Sequence, residues 1–322
     1  MENPTSLEHA ERSILEKLAF ETLTEQRRSR RWRNALSLLW VVFCFLVLFA
    51  IMGWSGAKRE ASSLEKHTAL VELKGVISAD SKASADKIIT ALQSAFKDKN
   101  TLGVVLRINS PGGSPVQAGY INDEIKRLRA KHKEIPFHVV VQDICASGGY
   151  YVAAAADKIF VDKASIIGSI GVIMDGFGFT GTMEKLGVER RLVTAGANKG
   201  FLDPFSPANP EQQKHAREMV AEIHQQFIKV VKDGRGARLK ETSDMFSGLV
   251  WSGEKSVQLG LADGFGSLDY VAREVIKAEQ VVDYTADESL SEQLARRLGA
   301  TAAESFWNRA LATPPAGGGV LR

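Results

Sequence analysis

One stretch of the chain carries no charge at all: Ala35 to Trp54 (ALSLLWVVFCFLVLFAIMGW) is apolar almost throughout. At a helical rise of about 1.5 Å per residue, about 20 such residues span roughly 30 Å, the thickness of bilayer hydrocarbon. A transmembrane helix over 35–54 is therefore expected. The run is long for a buried core helix, and no small-residue cleavage site of a secretory signal follows it in good context. Arg27, Arg28, Arg30, Arg31 and Arg33 crowd its N-terminal side, against Lys58 and Arg59 beyond it. Residues 1–34 are thus expected to stay cytoplasmic and everything from about 55 onward to be exported, with Trp54 suited to the interface.

The rest of the pattern divides the chain further. Residues 1–34 set Leu15, Leu18 and Phe20 among charges, which suits either a short surface helix or a solvated tail. Residues 55–67 are small and polar and read as a linker. From 68 to 285 short runs rich in Val, Leu and Ile alternate with helical periodicity. Strands are expected at Ala69–Ile77, Leu102–Ile108, Phe137–Gln142, Lys158–Val161, Gly171–Met174 and Glu189–Val193. Helices are expected at Ala83–Phe96, after Pro111 with Ile121, Ile125 and Leu128 on one face, at Ser147–Ala156, and at Pro210–Lys232 with Met219, Ile223, Phe227 and Val230 as its stripe. Val250–Asp263 and Gly264–Ala278 read as short helices between glycine turns. Strand followed by helix, repeated, argues an α/β fold with a largely parallel sheet. Residues 286–322 are expected to form a helix and a flexible Pro- and Gly-rich tail.

Composition narrows the function. Apolar residues make up 44% and charged ones 25% of 322 residues, an ordinary folding protein. The net charge of +3 comes from 41 basic and 38 acidic residues, so no nucleic-acid footprint is expected. Cys44 and Cys145 form neither a CxxC nor a Cys/His spacing, so neither a disulfide framework nor a metal site is expected.

Glycine-rich stretches follow the strand-like runs, where α/β sheets place their sites. The first is Asn109-Ser110-Pro111-Gly112-Gly113-Ser114. Paired glycines let backbone N–H groups approach a ligand, as an oxyanion hole requires, although a plain Pro-Gly turn has the same composition. The second is Cys145-Ala146-Ser147-Gly148-Gly149-Tyr150-Tyr151. A serine between strand and helix can present its hydroxyl as a nucleophile at the helix N-terminus, or can simply cap that helix. Its base is open on spacing alone. His215 and His224 lie on the long helix, but no histidine sits in a recognisable triad signature. A buried lysine can serve instead, because desolvation lowers its pKa. Lys199 in Ala195-Gly196-Ala197-Asn198-Lys199-Gly200 has small neighbours, although that composition equally fits a surface lysine.

Taken together, these stretches resemble the signal peptide peptidase A family of serine proteases, which shares the ClpP/crotonase superfold. The resemblance covers roughly residues 68–280. Asn109 to Gly113 is similar to the family's oxyanion loop, and Asp143 to Tyr151 (DICASGGYY) to its nucleophile segment. Gly168-Ser169-Ile170-Gly171-Val172 is similar to its third motif. The resemblance implies Ser147 as nucleophile, Lys199 as general base, Ser169 as the group that orients the lysine, and N–H groups near Gly112, Gly113 and Gly148 as oxyanion donors. It implies no metal and no cofactor. The length and single anchor match short, one-repeat members, for which it implies a ring-like homo-oligomer with serine and lysine supplied by neighbouring protomers. The implied substrates are apolar peptides in or leaving the bilayer, such as remnant signal peptides. The implied location is the bacterial inner membrane, single pass, with the catalytic domain in the periplasm.

Other functions share the pattern. A membrane quality-control protease for one partner protein would use the same dyad. Acyl-CoA hydratases and isomerases use the superfold's oxyanion hole, but their substrate is cytoplasmic. A non-catalytic peptide-binding scaffold would have no need to keep Ser147, Ser169 and Lys199 together.

Overall fold

The computed structural model describes residues 30, 32–34, 36–46 and 65–285. The chain divides into two units, Met1–Leu64 and Glu65–Arg322. In the first unit the described residues are helical. Leu36, Leu38, Leu39, Trp40, Phe43 and Phe45 are exposed on that helix, and the Ser37 hydroxyl donates to the Arg33 carbonyl at 2.9 Å. Among the described residues no helix is long and apolar enough to cross a membrane. The expected span 35–54 runs on past residue 46 and so lies partly outside the described residues, as do most of segments 1–34 and 55–67 and all of 286–322.

The second unit is built on one sheet. Its strands are β1 (His67–Lys74), β2 (Thr101–Ser110), β3 (Phe137–Ala146), β4 (Lys158–Val161), β5 (Ile166–Gly168), β6 (Val250–Ser252), β7 (Gly264–Phe265) and β8 (Val281–Asp283). The main path runs β6-β5-β3-β2-β1-β8. Every pairing is parallel except β5 with β6. The sheet forks at β3. Its first half, His138–Val140, pairs with β4, while its last residues, Ile144–Ala146, pair with β5. That fork leaves the C-terminal end of β3 beside Gly168.

Helices α1 (Ala85–Lys97) and α2 (Pro115–Lys131) cover one face. They bury Ile88, Leu92, Ile121 and Ile125 against Val71, Leu73, Val104, Leu106, Ile108 and Val139. On the other face Val105, Val140 and Phe160 meet Val271 and Ile276 in a smaller cluster. Alternate residues of β1 and β2 therefore face two apolar layers, which is why these strands read as continuous apolar runs. The short α3 (Gly148–Ala153) follows β3, and after the single turn α4 (Thr180–Lys185) comes the long α5 (Pro210–Arg235). α6 (Gly253–Gln258) follows β6. α7 (Leu268–Tyr270) runs directly into a π-helical turn, Val271–Ile276.

Several expectations are corrected. Gly171–Met174 and Glu189–Val193 are not strands; β5 forms earlier, at Ile166–Gly168. The antiparallel strand β6 takes the free edge of β5, so these later apolar runs find no ladder partner. They lie in an excursion between β5 and α5 whose apolar side chains are exposed, Ile173 by 84% and Val193 by 95%. Val250–Asp263 and Gly264–Ala278 each begin as a short strand before turning helical, because tertiary pairing overrides local periodicity at their first residues. His67, read from sequence as a linker residue, opens β1 and is fully buried. One ring nitrogen faces the Glu65 carbonyl at 2.8 Å and the other faces the Tyr284 hydroxyl at 3.0 Å.

Candidate active site

β2 and β3 lie side by side and end together, Ser110 opposite Cys145. The two glycine-rich stretches that follow them are thereby brought into contact. After Ser110 the chain passes through Pro111, Gly112 and Gly113 to Ser114, whose hydroxyl oxygen accepts from the Gln117 N–H and caps α2. Gly112 has φ +102 and Gly113 φ +150, a region that L side chains rarely enter. The loop is clamped to the segment after β1. Ile77 N–H donates to the Gly112 carbonyl at 2.8 Å, and Ser114 N–H donates to the Ile77 carbonyl at 2.8 Å.

Ser147 stands between β3 and α3 with φ 52 and ψ −124. A non-glycine residue there costs on the order of 1–3 kcal/mol, a strain found mostly where geometry serves function. The surroundings hold it in place. Its N–H donates to the Gly168 carbonyl at 2.8 Å, and its carbonyl accepts from Tyr151 N–H at 2.9 Å. Its hydroxyl makes no capping hydrogen bond to α3, so the plain N-cap role is not the one it fills. On α2 the buried Asn122 donates from Nδ2 to the Tyr151 carbonyl at 2.7 Å and ties down the first turn after the serine.

Gly148 N–H and Gly113 N–H donate to no group among the described residues, whereas Gly112 N–H donates to the Ser110 hydroxyl at 3.1 Å. A Cβ built on Gly148 would lie 3.3 Å from Gly113 N, so the two open donors are neighbours. Ser147 half-emerges into a pocket of about 130 Å³ lined by Gly113, Ala118, Gly148, Tyr151, Ile223 and Phe227, among others. Burial pushes the Tyr151 hydroxyl upward in pKa, with the charge of Asp123 adding to it. The Tyr151 ring packs against Phe227 at 5.2 Å between centroids.

Ser169 also has positive φ, at 50, and its N–H donates to the Leu249 carbonyl at 2.7 Å. It follows Gly168, the residue that holds Ser147, so the third glycine-rich motif does meet the second. Lys199 does not join them within one chain. It is exposed in the excursion, makes no side-chain hydrogen bond or ion pair among the described residues, and does not line the Ser147 pocket. Neither histidine on α5 lines that pocket. His224 donates from Nε2 to the Ile170 carbonyl at 3.1 Å, and His215 packs edge-on to Phe201. A second, larger pocket of about 1020 Å³ lies between the excursion and α5 and shares Val172 and Ile173 with the first.

A strand-end serine in a left-handed conformation, with two open amide donors at its side, is the arrangement a covalent hydrolase uses. Comparison with known proteins agrees. The model of Peptidase family S49 matches residues 129–282, a stretch that takes in Ser147, Ser169 and Lys199. A Methanocaldococcus jannaschii protein named as a protease is 33% identical over 213 residues, 65% of this chain and 68% of that one. The chain belongs to Peptidase family S49. Protease 4 of Haemophilus influenzae is 32% identical over 230 residues, 70% of this chain and 36% of its own. A Brucella melitensis protein named as the Na(+)/H(+) antiporter NhaA is 47% identical over 177 residues, 55% of this chain. The chain spans only 24% of that relative's length, so the transporter name describes a much longer protein.

Sequence reasoning about this S49 member missed the pocket walls Tyr151 and Phe227 and the two clamps on the Gly112–Gly113 loop, Ile77 and Ser110. Tyr151 and Ser110 lie inside the quoted motifs, but no local pattern says that their partners are Phe227 and Gly75.

Proposed function

We propose that the chain is a membrane-anchored serine endopeptidase in which Ser147 is the nucleophile and Lys199 of a neighbouring copy is the general base. The carrying observation is the backbone of Ser147, held at φ 52 beside the open N–H groups of Gly113 and Gly148. Neutral Lys199 takes the Ser147 hydroxyl proton, and the oxygen attacks the scissile carbonyl. Gly113 and Gly148 N–H hold the oxyanion, with Gly112 forming the turn between loop and serine. Lys199 then protonates the leaving amine, and water releases the acyl group by the same steps in reverse. Ser169 orients the ammonium group.

A lysine from a second copy is favoured because, among the described residues, no lysine, histidine or carboxylate of the same chain lines the Ser147 pocket, while Lys199 sits exposed among uncovered apolar side chains. Apolar peptides suit the walls made by Ala118, Tyr151, Ile223 and Phe227. The uncharged segment 35–54 would keep the site at the membrane surface, on the periplasmic side, where remnant signal peptides are released. A quality-control protease acting on one membrane partner uses the same chemistry. Peptide hydrolysis by the detergent-solubilised protein tests the reading. Ser147→Ala and Lys199→Ala should each abolish turnover, and a variant pair as active as the parent would end it.

A further inference from the structure

We infer that Ser110 is a positioning residue for this reaction, holding the Gly112–Gly113 loop so that the Gly113 N–H faces the oxyanion. The inference rests on the peptidase reading above.

Ser110 is fully buried at the end of β2. Its hydroxyl donates to the Gly75 carbonyl at 2.6 Å and accepts from Gly112 N–H at 3.1 Å. A hydroxyl has one proton, and the carbonyl can only accept it, so the direction of both bonds is fixed. The Gly112 amide is therefore turned onto Ser110 and is not itself an oxyanion donor. The next peptide is fixed from its other end. Gly112 C=O accepts from Ile77 N–H, and in a trans peptide the N–H points opposite to the C=O. The Gly113 N–H is thereby aimed away from Ile77, onto the side where Gly148 N–H also lies open.

Ser110 touches the other wall as well. A Cβ on Gly149 would stand 3.1 Å from the Ser110 carbonyl oxygen and 3.4 Å from its Cβ. Through its backbone carbonyl and Cβ, which Ser110→Ala keeps, the same residue packs against the helix turn that carries the other donor, while its hydroxyl holds the loop that carries the first. Removing the hydroxyl leaves the Gly112 N–H buried without that partner and loosens the loop at its first residue, the Ile77 hydrogen bonds remaining as its other restraint.

The test separates loop geometry from folding. For the parent and Ser110→Ala, kcat is measured per site titrated with a serine-reactive phosphonate. Inhibition by a peptide boronate, which forms a tetrahedral adduct, is compared with inhibition by the product peptide, which does not. The expected result is a roughly 10- to 100-fold fall in kcat with KM little changed. Boronate affinity falls in parallel, and product-peptide affinity is unaltered. If Ser110→Ala gives no folded protein, the same ratio is read on Ser110→Cys, whose thiol fills the space but is a weak hydrogen-bond partner. A ratio of boronate to product-peptide affinity equal to the parent's, in the variant measured, overturns the inference. A parent that hydrolyses no peptide, or a Ser147→Ala protein as active as the parent, overturns the peptidase reading instead.

Discussion

Gly112 lies directly against Ser147: a Cβ built on Gly112 would stand 2.7 Å from the Ser147 Cβ and 2.7 Å from Gly148 N. The Gly112–Gly113 loop and the Ser147 turn therefore share one van der Waals surface, and only hydrogen at Gly112 leaves room for it. Gly112→Ala is expected to push the loop off the serine turn and lower kcat by at least about 100-fold, the effect of losing an oxyanion donor. The fold, which does not depend on that contact, should persist. Circular dichroism and kcat measured on one preparation check both halves.

A dyad divided between copies makes a quantitative prediction. When Ser147→Ala and Lys199→Ala chains assemble at random in equal amounts, a productive site needs an intact serine from one copy and an intact lysine from its neighbour. About a quarter of sites meet that condition in a ring with head-to-tail contacts. The co-expressed mixture should thus recover about a quarter of parental hydrolysis, although each variant alone is inactive. No recovery from a mixed assembly would place both groups in one chain.

Away from the site, α5 is fastened to the sheet by a buried ion pair. The Arg235 side chain is fully enclosed and reaches Asp263 through two hydrogen bonds of 2.8 and 2.9 Å. Burial by itself would raise the Asp263 carboxyl, but hydrogen bonding and charge from Arg235, with help from Ile159 N–H and Arg238, outweigh it and hold the carboxyl below its ordinary range. Arg235→Met leaves that carboxylate only Arg238 and the Ile159 N–H as partners and should cost toward the lower end of about 3–5 kcal/mol in urea unfolding. A depressed carboxyl contributes stability that is present above its unfolded value near 4 and is lost as pH falls through the folded one. Acidification below about pH 4 should therefore destabilise the parent more steeply than Arg235→Met.

Cys145 immediately precedes the Ala146-Ser147 junction, yet it is fully buried, and burial pushes its thiol well above the usual range. A thiol reacts as the thiolate. In a Cys44→Ser background Cys145 should resist an aromatic disulfide reagent at mildly alkaline pH and react fully in denaturing guanidinium. Reaction in the native protein would mean that the end of β3 opens readily.

The sheet and its two covering helices were legible because each strand from β1 to β4 is a short apolar run bounded by turn residues, and α1, α2 and α5 keep one apolar stripe. The glycine motifs were legible as motifs and fall where strands end. What could not be read was which apolar runs would find a ladder. Gly171–Met174 and Glu189–Val193 have strand composition but lie in the excursion, because β6, far along the chain, closes the edge of β5. His67 was misread for a similar reason. Its burial depends on Tyr284, and nothing local announces that pairing. Lys199 shows the same limit, since nothing in its local sequence says that it lies exposed in the excursion and outside the lining of the Ser147 pocket.

Covalent trapping tests the central assignment most directly. The parent protein, treated with a peptide phosphonate and digested, should yield a single modified peptide with the adduct on the Ser147 oxygen, and peptide hydrolysis should fall in step with labelling. An adduct on another serine, or full hydrolysis with Ser147 completely labelled, would contradict the account.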